Sequence, residues 1–231
     1  MTKHIGIVAC SAEGAALCYR TICAEATHEM GEHMHPEISM HTHALGEYMI
    51  HIRTGNWKSV AGLMLSSVNK VYQIGAELAI CPDNTIHQAF EYVVEKSPIP
   101  WLHIAEAVAE EAQHRGLSKL AILGTKYLTV GPVYPKTLEK YGISYETPDE
   151  NDREQIDQII FKELVNGIFL EKSRLYFNEV IQKLKERGCD AAILGCTEIP
   201  LIVNSNDCPL PTLDSTRLLA LAALRKAMGN I

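Results

Sequence analysis

No stretch of the chain approaches the run of about 18 apolar residues needed to cross a bilayer, so no membrane-spanning helix is expected. The opening segment, Met1 to Ala9, is too short and too poorly flanked for a signal peptide, and a cytoplasmic location is expected. Basic charge is in short supply. The 21 Lys and Arg stand against 28 Asp and Glu, and the net charge of −7 argues against general affinity for nucleic acid or anionic membrane. The seven cysteines (Cys10, Cys18, Cys23, Cys81, Cys189, Cys196 and Cys208) are odd in number, widely spaced and without a CxxC pair, which disfavours a disulfide framework and a structural zinc site. They read as thiols. No linker or low-complexity tract divides the chain.

What is present is core-forming material: 47% of the 231 residues are hydrophobic and 21% charged, a balance that excludes disorder as the main state. At roughly 100–200 residues per domain this is one large domain or two small ones. Short apolar runs at Ile5 to Ala9, Ile38 to Thr42, Leu78 to Cys81, Leu120 to Leu123 and Ala191 to Leu194 alternate with helical segments such as Trp57 to Gly75 and Ile104 to Arg115. That alternation predicts an α/β fold, with strands buried on both faces in a mainly parallel sheet and helices packed on each side. In such folds ligands bind beyond the carboxyl ends of the strands.

A weak internal repeat runs through this pattern. The segment from Gly75 to Ile86 (GAELAICPDNTI) aligns without gaps with that from Gly188 to Ile199 (GCDAAILGCTEI). Each ends a helix at glycine, enters a strand after an acidic residue, and leaves it through a polar turn. The same grammar is common at helix-to-strand entries generally; as a true repeat it marks two related half-domains. Asp83 and Cys196 then occupy equivalent strand ends, as do Asn84 and Thr197. Two such lobes facing each other would offer one acid/base group on each side of a substrate.

The motif Gly195-Cys196-Thr197-Glu198-Ile199-Pro200, with Asn84-Thr85-Ile86-His87, Arg53-Thr54, Leu123-Gly124-Thr125, Thr129, Tyr134 and Ile159 to Leu164, resembles the cofactor-independent aspartate/glutamate racemase family over nearly the whole chain. The aspartate racemase branch is the nearer, since glutamate racemases usually have His where Glu198 stands. The resemblance implies two pseudosymmetric α/β lobes, here 1–100 with 210–231 and 101–209, with the active site in the cleft between them. It also implies a homodimer, a small amino acid or related carboxylic acid as partner, and racemisation by two cysteines without pyridoxal phosphate or metal. This chain departs from that pattern. It reads Cys81-Pro82-Asp83-Asn84-Thr85, so Asp83 fills the usual catalytic position, and Cys81 lies two residues earlier, about 6–7 Å further back on a regular strand. Ala9-Cys10-Ser11 replaces the usual Gly-Gly-Met, which makes Cys10 either a third acid/base candidate or a small packing residue, and puts the Ser11 hydroxyl near the cleft.

Racemisation needs fixed donors for the carbanion-like state and a base within reach. The expected catalytic pair is Asp83 and Cys196. The expected substrate-binding set is Arg53, Asn84, Thr85, Thr197, Glu198, Cys10, Ser11 and Thr125, with no metal ligand. A thiolate base needs its pKa lowered from about 8.5, and Cys196 at a presumed helix start has that opportunity. An aspartate starts near a pKa of about 3.9, so Asp83 accepts a proton readily and donates one poorly unless burial intervenes. One-face isomerisation or decarboxylation, and silent amino-acid binding, therefore remain alternatives, as does a purely capping role for Asp83. Arg53 matches the family arginine that reads a distal carboxylate, against the alternative of a solvated loop charge. Leu164-Val165-Asn166 stand where aspartate racemases often carry a lysine. Six histidines fall between His28 and His51, and His41 and His43 would share a strand face, yet no third ligand with zinc spacing follows.

Overall fold

The computed structural model of the chain describes residues 2–229. Its elements run β1 (Ile5–Ala9), α1 (Ala12–Met30), β2 (Ile38–Thr42), α2 (Leu45–Arg53), α3 (Trp57–Gln73), β3 (Leu78–Ile80), α4 (Phe90–Val94), α5 (Ile104–His114), β4 (Lys119–Leu123), α6 (Lys126–Thr129), α7 (Val133–Lys140), β5 (Ser144–Glu146), α8 (Glu150–Lys162), α9 (Glu171–Glu186), β6 (Ala191–Leu194), β7 (Thr212–Asp214) and α10 (Ser215–Met228). Short 3-10 helices cover Thr85–Ala89, Leu164–Asn166 and Ile199–Leu201. The chain divides into two compact units, residues 2–107 with 216–229, and residues 108–215.

The first unit holds a parallel sheet in the order β2-β1-β3, the second a parallel sheet in the order β5-β4-β6-β7. The central strand of each is the first to appear in sequence, flanked by the second and the third. Where the second sheet adds β7, the first has a single parallel bridge from Trp101 to Ala79. The Ala79 amide donates to the Pro100 carbonyl at 2.8 Å, and the Ala192 amide donates to the Pro211 carbonyl at the same distance.

The sequence repeat has a physical basis at each of its landmarks. Gly75 (φ 103°) and Gly188 (φ 89°) turn the chain out of α3 and α9 through the left-handed region that L side chains avoid. The acidic residues that follow bind the chain just ahead of the central strand. Glu77 Oε2 accepts from the His4 amide at 3.1 Å, and Asp190 Oδ2 accepts from the Ser118 amide at 2.8 Å. These carboxylates supply partners for amides at the open end of the ladder, where the sheet has none.

Helices start where short polar side chains cap them. Ser11, Asn56 and Asp149 accept from the amides of Gly14, Ser59 and Asp152 at the starts of α1, α3 and α8. In the first unit Ile5, Ile7 and Ala9 pack with Cys18 and Ile22 of α1 and Leu219 and Ala223 of α10. Gly6 faces the other way, against α3, where a Cβ would stand 2.7 Å from Val71 Cγ2. In the second unit Leu123 and Leu194 pack with Ile156 and Ile160 of α8 and Phe177 and Leu184 of α9.

The expected strands are all present, within one residue at their ends, and two strands were not anticipated. β5 is a three-residue edge with Ser144 and Tyr145 exposed, and β7 is equally short, so neither has an apolar run to announce it. β2 corrects the expectation that every strand is enclosed on both faces. It is an edge strand whose residues are all at least partly exposed, in keeping with the polar Ser39, His41 and Thr42.

Candidate active site

In a parallel sheet every strand delivers its carboxyl end to the same edge, and the loops leaving neighbouring strands meet there. In the first unit these are the loops after β1 and β3. Cys10 follows β1 and is buried; Ser11 is committed to capping α1, its Oγ accepting from the Gly14 amide at 3.2 Å. After β3 the chain leaves extended structure at Cys81, so Cys81 and Asp83 do not continue a regular strand. Cys81 is completely enclosed, and burial, followed by the Asp83 charge, pushes its thiol well above the ordinary range. Asp83 is partly exposed, with Oδ1 accepting from the Ile86 amide at 3.2 Å. The capping contact is therefore present, and it also fixes the direction of the carboxylate. Asn84 is buried beside it and Thr85 is partly exposed.

His87 pins this loop from beneath. Its Nδ1 lies 2.7 Å from the Asp83 carbonyl, and the Ile104 amide donates to its Nε2 at 3.3 Å. A carbonyl only accepts, so Nδ1 carries the ring proton and Nε2 is the acceptor. Burial pulls its pKa down to about 4, against a weaker opposing pull from the Asp83 carbonyl. The ring stacks on Phe90 at 5.4 Å. Arg53 ends α2 and is exposed.

In the second unit the corresponding loops follow β4 and β6. Thr125 caps α6, its hydroxyl accepting from the Leu128 amide at 3.4 Å. Gly124 and Gly195 lie where β4 and β6 meet, and the Gly195 amide donates to the Leu123 carbonyl at 2.8 Å. A Cβ on Gly195 would stand 2.6 Å from the Leu123 oxygen, closer than any real Cβ contact allows. That glycine lets the chain bring Cys196 to the strand end. Cys196 is partly exposed; its thiol donates to Glu198 Oε2 at 2.9 Å, and the Thr197 hydroxyl donates to the same oxygen at 2.8 Å. The helix expected after Cys196 is only the 3-10 turn Ile199–Leu201, too short to supply an appreciable dipole. The electrostatic partner of the thiol is instead the buried Glu198 carboxylate. Sequence reasoning assigned Glu198 through its amide and missed this side-chain role.

Asp83 and Cys196 thus occupy aligned positions of the sequence repeat, Asp83 two residues before the 3-10 helix at Thr85 and Cys196 three before that at Ile199, each at the carboxyl edge of its own sheet. The profile of the Asp/Glu/Hydantoin racemase family matches residues 6–223. The chain belongs to the Asp/Glu/Hydantoin racemase family. Among solved structures, a candidate Asp/Glu racemase of Yersinia pestis is 33% identical, with a TM-score of 0.90 over 98% of this chain and 99% of that one. An aspartate racemase homologue from Pyrococcus horikoshii is 28% identical, with a TM-score of 0.83 over 98% and 99%. The broad specificity amino-acid racemase RacX of Bacillus subtilis is 22% identical over 151 residues, and the match spans 65% of each chain. The family's α/β architecture of two parallel sheets flanked by helices is the one seen here.

The histidine-rich stretch has a structural account. His41 Nδ1 lies 2.9 Å from Ser67 Oγ and His43 Nε2 3.1 Å from Ser66 Oγ, so both rings dock β2 and the loop after it onto α3. No group of three His, Cys, Asp or Glu side chains arranged to hold a metal occurs among the described residues.

Proposed function

We propose that the chain is an amino-acid racemase that works without pyridoxal phosphate or metal, with Asp83 and Cys196 exchanging protons with opposite faces of Cα. The observation that carries this reading is the family match over residues 6–223, combined with one acid/base side chain at the equivalent strand end of each unit. Asp83 as carboxylate removes a proton from one enantiomer and the Cys196 thiol, its proton held toward Glu198, returns one to the other face; the opposite direction uses the conjugate forms. Asn84, Thr85, Thr197 and the Glu198 amide hold the substrate carboxylate, with Thr125, Cys10 and Ser11 lining the approach. The exposed Arg53 reads a distal acidic group. The complete enclosure of Cys81 favours Asp83 as the first-lobe group.

A second reading, one-face isomerisation or decarboxylation, is favoured by the Ile86 amide on Asp83, which supports the charged carboxylate and opposes proton donation. The homodimer and the cytoplasmic location are part of the same proposal, supported by the family resemblance. Chiral chromatography of aspartate, glutamate and neutral amino acids incubated with the purified protein tests it. Racemisation of at least one acid by the wild type and by Cys81→Ala, lost in Asp83→Asn, is the expected result. Activity that survives Asp83→Asn and disappears in a folded Cys81→Ala would assign the first-lobe role to the thiol.

A further inference from the structure

The turn that leaves β4 lies against the turn that leaves β6, and one methyl group serves both. A Cβ on Gly124 would stand 2.7 Å from Leu128 Cδ2, and a Cβ on Gly195 2.5 Å from the same carbon. Leu128 is 1% exposed, so its side chain fills the space that the two glycines leave open. Cys196 follows Gly195 directly, and the place from which it leaves the strand end depends on where Leu128 sits.

Leu128 belongs to α6, whose four residues are too few for a helix that is stable by itself. Its local bonds close within the turn. The amides of Leu128 and Thr129 each donate to the Thr125 carbonyl at 3.0 Å, and the Thr129 hydroxyl donates to it at 3.2 Å. A tie to a neighbouring element runs through the Lys126 amide, one of the donors that a helix start leaves over, which donates to Asp157 Oδ1 at 2.9 Å. Asp157 is 7% exposed and stands on α8 between Ile156 and Ile160, which belong to the core built on Leu123 and Leu194. The carboxylate thus carries the anchorage of α8 on the sheet across to α6. The Lys126 ammonium is placed more loosely, its Nζ 3.9 Å from Asp157 Oδ2 and equally far from Glu154 Oε2, so the amide bond is the tighter of the two contacts.

We propose that Asp157 is a positioning residue for Cys196, acting through the Lys126 amide and the Leu128 side chain on Gly195. This rests on the reading of Cys196 as the acid/base group of its unit. It gives a nearly enclosed carboxylate on α8 a role in the site, although it touches no group placed there by sequence.

Substitutions along this path test it. Asp157→Ala removes the acceptor, and kcat should fall about tenfold with KM little changed, as expected when the reacting group is misplaced and the substrate contacts are kept. Asp157→Asn keeps Oδ1 as an acceptor and should restore most of kcat. Lys126→Met keeps the amide and should stay close to wild type. Iodoacetamide reads the same geometry without turnover. In Asp157→Ala the Cys196 thiol, no longer held toward Glu198, should be alkylated about threefold faster at pH 7, and the midpoint of its rate against pH should move down, which lowered stability alone does not cause. Leu128→Ala leaves Asp157 in place, should reproduce both effects, and carries the test if Asp157→Ala does not fold. If the wild type racemises nothing while the alkylation curve moves in Asp157→Ala and returns in Asp157→Asn, the racemase reading falls and the positioning role stands. If the wild type racemises and kcat and the alkylation curve are both unmoved in folded Asp157→Ala or Leu128→Ala, the inference falls alone. A loss in Lys126→Met equal to that in Asp157→Ala would assign the effect to the ion pair and overturn it equally.

Discussion

Acidification should weaken the fold through His87, and the size of the effect follows from its two hydrogen bonds. The ring is 3% exposed, donates from Nδ1 to the Asp83 carbonyl and accepts from the Ile104 amide at Nε2. A second proton would have to enter at Nε2, against the Ile104 amide hydrogen. The folded-state pKa is accordingly about 4, against 6.5 ordinarily. Because the folded value is depressed, the unfolded chain takes the proton first as pH falls. The neutral-ring contribution is complete above about pH 6.5, is lost progressively down to about pH 4, and is level below. At ~1.36 kcal/mol per pH unit the whole interval is worth about 3 kcal/mol, of which about 2 kcal/mol is gone by pH 5. His87→Leu removes the titration but leaves the Asp83 carbonyl and the Ile104 amide without this partner, at about 1–3 kcal/mol each. Urea unfolding followed by circular dichroism between pH 7.5 and 4.5 should therefore show a gap between wild type and variant that is wide at neutral pH and closes by about 2 kcal/mol toward pH 5. Terms common to both proteins cancel in the difference. A gap that stays constant with pH would mean that His87 is not a buried neutral ring and that the clamp beneath the Asp83 loop is wrongly drawn.

Gly195→Ala should cost about 1–3 kcal/mol and depress turnover, because its Cβ would press on the Leu123 carbonyl; Leu128→Ala should not rescue it, since the backbone contact remains. Measured unfolding midpoints and rates of the single and double variants check this. Glu198→Gln keeps an acceptor for the Cys196 thiol but removes the negative charge beside it, so iodoacetamide should alkylate Cys196 severalfold faster at pH 7 while turnover falls. Asp152→Ala should destabilise the second unit by about 1–3 kcal/mol, because its enclosed carboxylate accepts from the Tyr176 hydroxyl at 2.7 Å and from Lys183 at 3.1 Å; urea unfolding measures it.

Much of the fold was legible because the inner strands are continuous apolar runs and the repeat carries its landmarks in the side chains. Gly75 and Gly188 mark helix ends by φ, and Glu77 and Asp190 mark strand entries by charge. β5 and β7 were hidden because three-residue strands leave no periodicity to read. The site was legible as residue types at equivalent positions and not as partners. Nothing in the spacing of Cys196 and Glu198 says that the thiol proton turns to the carboxylate, since that depends on the chain taking a 3-10 turn instead of a helix. The partners of the histidine pair were not legible, because Ser66 and Ser67, which receive the rings, lie on a helix more than twenty residues away.

The central claim, one acid/base group for each face of Cα, predicts a reciprocal pattern of solvent deuterium exchange. In deuterium oxide the wild type should racemise its substrate and incorporate deuterium at Cα starting from either enantiomer. Asp83→Asn should abolish racemisation but keep exchange without inversion in the one enantiomer whose proton faces Cys196, and Cys196→Ser should keep it only in the other. Racemisation at a wild-type rate in either variant, or exchange of the same enantiomer in both, would contradict the assignment.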